Sequence, residues 1–132
     1  MVHEPDTHKQ VLVIDDDPDT LEFLCTLLRM HGYTAVGVPD AKKAVARIRE
    51  RVPDLFLIDF MLPETDGMTT LQHCRAEPGG KDVRAVMLTA DSRLATLERA
   101  LSCGFDEFLP KPILDQDGFL QRINDVMTRR RQ

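Results

Sequence analysis

The sequence predicts an α/β fold: one five-stranded parallel sheet, strand order 2-1-3-4-5, with helices on both faces. Three observations carry that expectation. Five short aliphatic runs alternate strictly with five amphipathic stretches, the pattern of repeated strand–helix units. The run LFLID (55–59) is continuous rather than alternating, as a parallel strand covered on both faces requires. The 132 residues hold no internal repeat and no long linker, so a single domain accounts for them.

The elements follow in order. VLVID (11–15) is the first strand, and Leu21, Leu24, Cys25 and Leu28 then recur with helical spacing. Asp17 or Asp19 caps that helix, Pro18 fits its first turn, and Gly32 ends it as a left-handed cap. YTAVGV (33–38) is the second strand. Asp40 caps a helix with Ala41, Ala44, Val45 and Ile48 on its apolar face, closed by Pro53. The third strand, LFLID, is followed by the loop LPETDG (62–67) and a weaker helix from Met68 to Ala76. After the turn cluster EPGGKD comes AVMLT (85–89), the fourth strand. Leu94, Leu97 and Leu101 mark the fourth helix, FDEFL (105–109) the fifth strand, and Leu120, Ile123 and Met127 the last helix.

In this topology ligands bind at the carboxyl ends of the strands, where the order reverses between strands 1 and 3. Strand 1 ends in Asp15-Asp16 and strand 3 in Asp59, so three carboxylates converge on the ligand crevice. Crowded carboxylates repel one another, and a hard divalent cation such as Mg²⁺ offsets the repulsion through oxygen ligands. Thr89 ends strand 4 and Lys111 follows strand 5, again at carboxyl ends. A hydroxyl and an ammonium facing a metal-loaded acidic cluster suit a phosphoryl group. An Asp can itself accept that group as an aspartyl-phosphate.

At these residues the chain resembles the receiver domain of two-component response regulators. VLVIDDDPDTLEFLCTLLRMHGY is similar to the family's first βα unit, PDLFLIDFMLPETDG to its phosphorylation loop, VMLTA to its hydroxyl-bearing strand end, and FLPKPI to its lysine–proline turn. The resemblance implies the flavodoxin-like receiver fold over residues 10–128, with a disordered segment at 1–9 and a basic tail or linker start at 129–132. It implies Asp59 as phospho-acceptor, with Mg²⁺ (or Mn²⁺) held by Asp15, Asp16, Asp59 and the Met61 carbonyl. Thr89 and Lys111 would bind phosphoryl oxygens, Phe108 would be the switch aromatic, and Lys111-Pro112 would be cis. The implied function is a signalling switch that catalyses its own phosphorylation and dephosphorylation, rather than a metabolic enzyme. The implied partners are a histidine kinase or histidine phosphotransfer protein and a downstream effector, with a homodimer through the fourth helix, fifth strand and fifth helix. Phe60, Phe108 without a hydroxyl, and Pro110 depart from the family pattern, and none removes a reactive group.

Other classes fit less well. A haloacid-dehalogenase-type phosphatase wants Asp-x-Asp-x-Thr or Val after strand 1; here Asp15-x-Asp17 leads to Asp19, and the chain is short for a cap domain. A non-phosphorylated adaptor would not need the full set of reactive groups. P-loop and Gly-x-Gly-x-x-Gly patterns are absent. The net charge of −5 gives no nucleic-acid footprint. No signal peptide and no membrane-spanning run is present, so a cytoplasmic location is expected. Cys25, Cys74 and Cys103 have no metal or disulfide spacing. Alone, Asp17, Asp19 and Asp66 are cap or turn formers, Glu64 is solvated, Thr89 is an ordinary strand residue and Lys111 a surface one.

Overall fold

The computed structural model describes residues 8–62 and 64–129. Most of the N-terminal segment and the end of the basic tail (1–7 and 130–132) lie outside the described residues. The elements run β1 Gln10–Ile14, α1 Pro18–Met30, β2 Thr34–Val38, α2 Ala41–Glu50, β3 Leu55–Asp59, β4 Met61–Leu62, β5 Thr65–Asp66, α3 Gly67–Arg75, β6 Arg84–Thr89, α4 Leu94–Ser102, β7 Glu107–Pro110 and α5 Gln116–Thr128. The five longer strands form one parallel sheet in the order β2-β1-β3-β6-β7. Counting those strands alone, this is the expected 2-1-3-4-5.

Strand residues alternate between two cores, since successive side chains leave opposite faces. Val11, Val13, Leu55, Leu57, Val86 and Leu88 pack against Leu24 and Leu28 of α1 and Phe119 and Ile123 of α5. Leu12, Ile14, Phe56, Ile58, Ala85 and Met87 pack on the other side against Ala44 and Ile48 of α2 and Leu71 of α3. Both faces are covered, which is why the central runs are apolar without alternation.

Helix starts follow the sequence chemistry. Asp17, not Asp19, caps α1 by accepting from the Thr20 amide, with Pro18 in the first turn. Asp40 caps α2 through the Lys43 amide, and Asp66 caps α3 through the Thr69 amide. Gly32 has φ 91°, the left-handed conformation expected after α1. Arginines fasten the far ends: Arg29 forks onto the Ala35 carbonyl, and Arg84 reaches the Val126 and Met127 carbonyls at the end of α5.

Two differences from the sequence expectation have physical causes. The segment 62–67 is not simple loop: Met61–Leu62 pairs antiparallel with Thr65–Asp66, and Glu64 takes φ 67° in the turn between them. Two of the three stripe leucines of α4 face outward, and Leu97 is half-buried. Leu94 is 70% exposed and Leu101 50%, while α4 buries Thr96 and Ala100 instead. The helical period is right, but the small side chains allow the closer approach to the sheet, so they take the inner face.

The ribbon brings α3 against the end of β3. The Gly67 amide donates to the Phe60 carbonyl at 2.8 Å. A Cβ on Gly67 would meet the Asp59 carbonyl oxygen at 2.7 Å and the Phe60 Cα at 3.1 Å. Both are backbone atoms, so no rotamer change relieves the clash. Gly67→Ala should therefore destabilise by about 1–3 kcal/mol in urea unfolding. Gln72→Ala, on the exposed face of the same helix, should change stability by less than about 0.5 kcal/mol. Equal stability of Gly67→Ala and wild type would show that the α3–β3 approach is slack.

Candidate phosphoryl-acceptor site

Strand register places the site. Ile14 pairs with Ile58, so Asp15 and Asp59 leave adjacent strands at one level. Asp59 pairs with Leu88, and Thr89 stands one residue further on. Thr89 pairs with Pro110, and Lys111 follows. Four of the expected site side chains thus line the carboxyl edge of the sheet, each at the point where its strand stops.

Asp15 is fully buried and Asp59 is 5% exposed, whereas Asp16 is exposed. Oxygens of these three carboxylates lie within 4.8 Å of one another. The Lys111 Nζ donates to Asp15 Oδ2 at 2.8 Å and to Asp59 Oδ2 at 3.0 Å. The remaining oxygens accept from backbone: Asp15 Oδ1 from the Asp17 amide at 2.9 Å, and Asp59 Oδ1 from the Met61 amide at 3.3 Å. Burial pushes the Asp59 carboxyl above its ordinary value, and the Asp15 charge adds to this; the Lys111 hydrogen bond opposes it without cancelling it. For Lys111, burial acts to lower the ammonium, but its two hydrogen bonds and the two carboxylate charges outweigh burial and raise it.

Thr89 is buried, and its hydroxyl is turned toward the following loop. It accepts from the Asp91 amide at 2.8 Å and donates to the Asp91 carbonyl at 3.3 Å. A cleft of about 670 Å³ opens above, lined by Asp59, Phe60, Met61, Thr89, Ala90, Asp91, Arg93, Lys111 and Pro112. The Lys111-Pro112 bond is cis. Phe108 does not line the cleft; it is half-buried against the core under α2–α4. Asp91 and Arg93 escaped sequence reasoning, because two opposite charges in a loop read as solvated; the signal available was their place just after a strand-ending threonine. The thiols take no part: burial pushes Cys74 up to about 12 and also raises Cys25.

The acidic cluster fits a hard divalent ion. Its donors are all oxygens, two of the three carboxylates are buried, and Asp59 Oδ1 has a single long amide bond at 3.3 Å. The family profile for the response regulator receiver domain matches residues 11–124. The chain belongs to the response regulator receiver domain family. Receiver domains are phospho-accepting signalling switches that bind Mg²⁺ at an acidic pocket and work with histidine kinases and effector domains.

Among curated relatives, the chain is 33% identical over 121 residues to the phosphate regulon transcriptional regulatory protein PhoB of Escherichia coli, covering 92% of this chain and 52% of PhoB. It is 38% identical to the DNA-binding response regulator MtrA of Mycolicibacterium smegmatis, covering 81% of this chain and 46% of MtrA. This receiver domain thus spans about half the length of those relatives. Its structure is similar to the receiver domain of sensor histidine kinase PA1611 from Pseudomonas aeruginosa PAO1, which has a magnesium ion coordinated in its active site cleft (TM-score 0.81, 25% identity, 93% of this chain and 100% of that one). Among the described residues no helix is long and apolar enough to cross a membrane.

The electrostatics set the sign of two substitutions. A raised Asp59 pKa means that the folded chain binds this proton more tightly, so wild-type stability falls as pH rises from 3.8 through the folded value. Asp59→Asn removes that loss. Its melting temperature should exceed wild type at neutral pH, and the gap should close below about pH 3.8. Lys111→Met should act in the opposite direction, destabilising by about 3–5 kcal/mol at neutral pH, because two buried carboxylates lose their counter-charge. Thermal melts from pH 3 to 8 test both; a gap independent of pH would remove the Asp59 charge from the balance.

Proposed function

We propose that Asp59 is the phosphoryl acceptor of this receiver domain, and that one observation carries the assignment. Its carboxylate ends the central strand inside the cleft, 5% exposed and 3.0 Å from the Lys111 ammonium. The donor is a phosphohistidine on a histidine kinase or histidine phosphotransfer protein. An Asp59 oxygen attacks phosphorus, the P–N bond breaks, and its electron pair returns to the imidazole nitrogen, which takes up a proton. Water later attacks the phosphorus, the P–O bond to Asp59 breaks, and carboxylate and inorganic phosphate are released. The domain catalyses both steps on itself, as a switch rather than a metabolic enzyme.

Asp15, Asp16, Asp59 and the Met61 carbonyl would hold Mg²⁺, with Mn²⁺ as a substitute of like charge and oxygen preference. When bound, the ion supplies positive charge that offsets the phosphoryl oxygens. Lys111 already bridges Asp15 and Asp59, so its ammonium stays beside the group as Asp59 becomes an acyl phosphate. Thr89 would release its 3.3 Å bond to the Asp91 carbonyl and donate to a phosphoryl oxygen. Phe108 is half-buried behind this strand end and would fill the space Thr89 leaves. The phosphoryl group carries about −1.5 to −2 charge in place of the single carboxylate charge, and the response would spread through α4, β7 and α5. The outward Leu94 and Leu101 give that surface an apolar face for an effector or a second copy of the chain.

Residues 10–128 would form the receiver domain and 129–132 the start of a basic tail or linker. A cytoplasmic location and the absence of direct nucleic-acid contact complete the reading. A dehalogenase-type phosphatase is disfavoured, because Asp15, the nucleophile it would need, is fully buried under Lys111 and the Asp17 amide. An adaptor that is never phosphorylated is disfavoured by the intact set of acceptor, lysine and hydroxyl in one cleft.

Incubation with acetyl phosphate and Mg²⁺, followed by intact mass, should add one phosphoryl group to wild type and none to Asp59→Asn. Uptake by the variant at the wild-type rate would refute the acceptor assignment. Millimolar Mg²⁺ should also raise the melting temperature. At ~100 times its dissociation constant the gain is about 2.7 kcal/mol, and Asp16→Ala should erase most of it. Identical melts with and without Mg²⁺ would take the metal out of the account.

A further inference from the structure

The rim of the cleft carries an ion pair that the phosphoryl-transfer account leaves idle. Arg93 forks onto the Asp91 carboxylate: Nε lies 2.9 Å from Oδ1 and 3.1 Å from Oδ2, and Nη2 lies 2.7 Å from Oδ2. The arginine side chain is 81% exposed, against 19% for Asp91. Both residues line the cleft that holds Asp59 and Lys111. Arg93 is also the residue that precedes α4, and it offers that helix no side-chain cap.

Asp91 does not depend on the fork. Its Oδ1 also accepts the Arg93 amide at 3.0 Å, and its Oδ2 accepts the Thr96 hydroxyl at 2.9 Å, which ties the loop to the first turn of α4. If the guanidinium swings away, both carboxylate oxygens keep a donor. Chiefly the side-chain bonds to Arg93, then the Arg93 amide and the Thr96 hydroxyl, hold Asp91 well below the usual carboxylate range, and the last two remain if the guanidinium leaves. The same residue touches Thr89 through its amide and carbonyl. Asp91 is therefore an anion at the mouth with donors of its own, and Arg93 an exposed cation paired with it.

We propose that Arg93 is a specificity-determining residue for the phosphodonor: its guanidinium leaves Asp91 to pair with the anionic oxygens of the incoming phosphoryl group, and Asp91 sets how readily it does so. The planar fork that fits a carboxylate also fits a phosphate. Lys111 is committed to two carboxylates, so among the described residues lining the cleft Arg93 is the exposed cation that can meet a donor before transfer. Asp91 acts as a positioning residue. With its carboxylate removed, the mouth loses an anion and Arg93 loses its parking place, so small anionic donors should enter more easily.

This inference rests on Asp59 being the acceptor. With acetyl phosphate as probe, the Asp59 oxygen bonds to phosphorus, the acetyl P–O bond breaks, and acetate leaves with the electron pair. The initial rate of phosphoryl uptake is measured against acetyl phosphate concentration with Mg²⁺ present, in low salt and in ~0.5 M salt. Arg93→Gln should raise the half-saturating donor concentration by roughly three- to fivefold in low salt, the scale of an exposed ion pair, and change the limiting rate little. Arg93→Lys should recover part of the loss, and Asp91→Asn should shift the half-saturation in the opposite direction. High salt should compress all the differences, since exposed charges are screened. Thermal melts identify any variant that fails through folding, and Arg93→Lys then carries the comparison.

Asp59→Asn runs beside them. If Asp59→Asn takes up phosphoryl like wild type, the acceptor reading fails and this inference falls with it. If uptake requires Asp59 but Arg93→Gln matches wild type at low salt, or its effect ignores salt, only the role of Arg93 is overturned.

Discussion

The two short hydrogen bonds from Lys111 to Asp15 and Asp59 hold the functional end of this molecule together. Two carboxylates, at 0% and 5% exposure, sit on adjacent strands with their oxygens in one cluster. Without a counter-charge that arrangement would repel itself apart. The ammonium comes from the far side of the β6 strand, at the end of β7, and spans the sheet's carboxyl edge to reach both acids. Parallel register delivers all three groups to one height, and the apolar layers on either face keep the edge dry enough for the pairing to matter. The same pairing leaves the site poised. Lys111 neutralises part of the acidic charge, and the part left over suits a divalent ion and then a phosphoryl group.

Much of this was readable from the residues. Continuous aliphatic runs gave the strands because a parallel sheet needs both faces apolar, and Asp17 and Asp40 marked helix starts because their side chains satisfy orphan amides. Asp15, Asp16, Asp59, Thr89 and Lys111 were legible as a group because each falls at the end of its strand, where this topology gathers ligands. The short ribbon at Met61–Asp66 was not legible: two-residue strands carry no period. Nor was the inner face of α4, where Leu94, Leu97 and Leu101 have the right spacing and Thr96 and Ala100 do the packing. Periodicity reports which residues share a face, and says nothing of which face turns inward when small residues pack better. Asp91 and Arg93 were invisible for another reason, since their pairing depends on a loop conformation set by the Thr89 hydroxyl.

Asp91 connects matters that the sequence keeps apart. Its backbone engages the threonine at the end of β6, its carboxylate holds Thr96 in the first turn of α4, and its charge restrains Arg93 over the cleft. A change in what Thr89 binds therefore reaches α4 through one residue, without any long chain of contacts.

The shallow seat of α4 bears on how such a change would travel. A helix anchored by large interlocking side chains must climb over them to move, and close packing makes such moves discrete and costly. Here α4 rests on a threonine and an alanine, while Leu94 and Leu101 stand in solvent. Small side chains leave little relief to climb, so the helix can slide or roll by fractions of a turn while its backbone hydrogen bonds stay intact. In mechanical language such a seat would act as a low-friction slider on a stiff plate, held at its start by the Thr96–Asp91 bond. Its compliance lies along the sheet surface, and the leucines it carries would sweep across whatever partner is docked there.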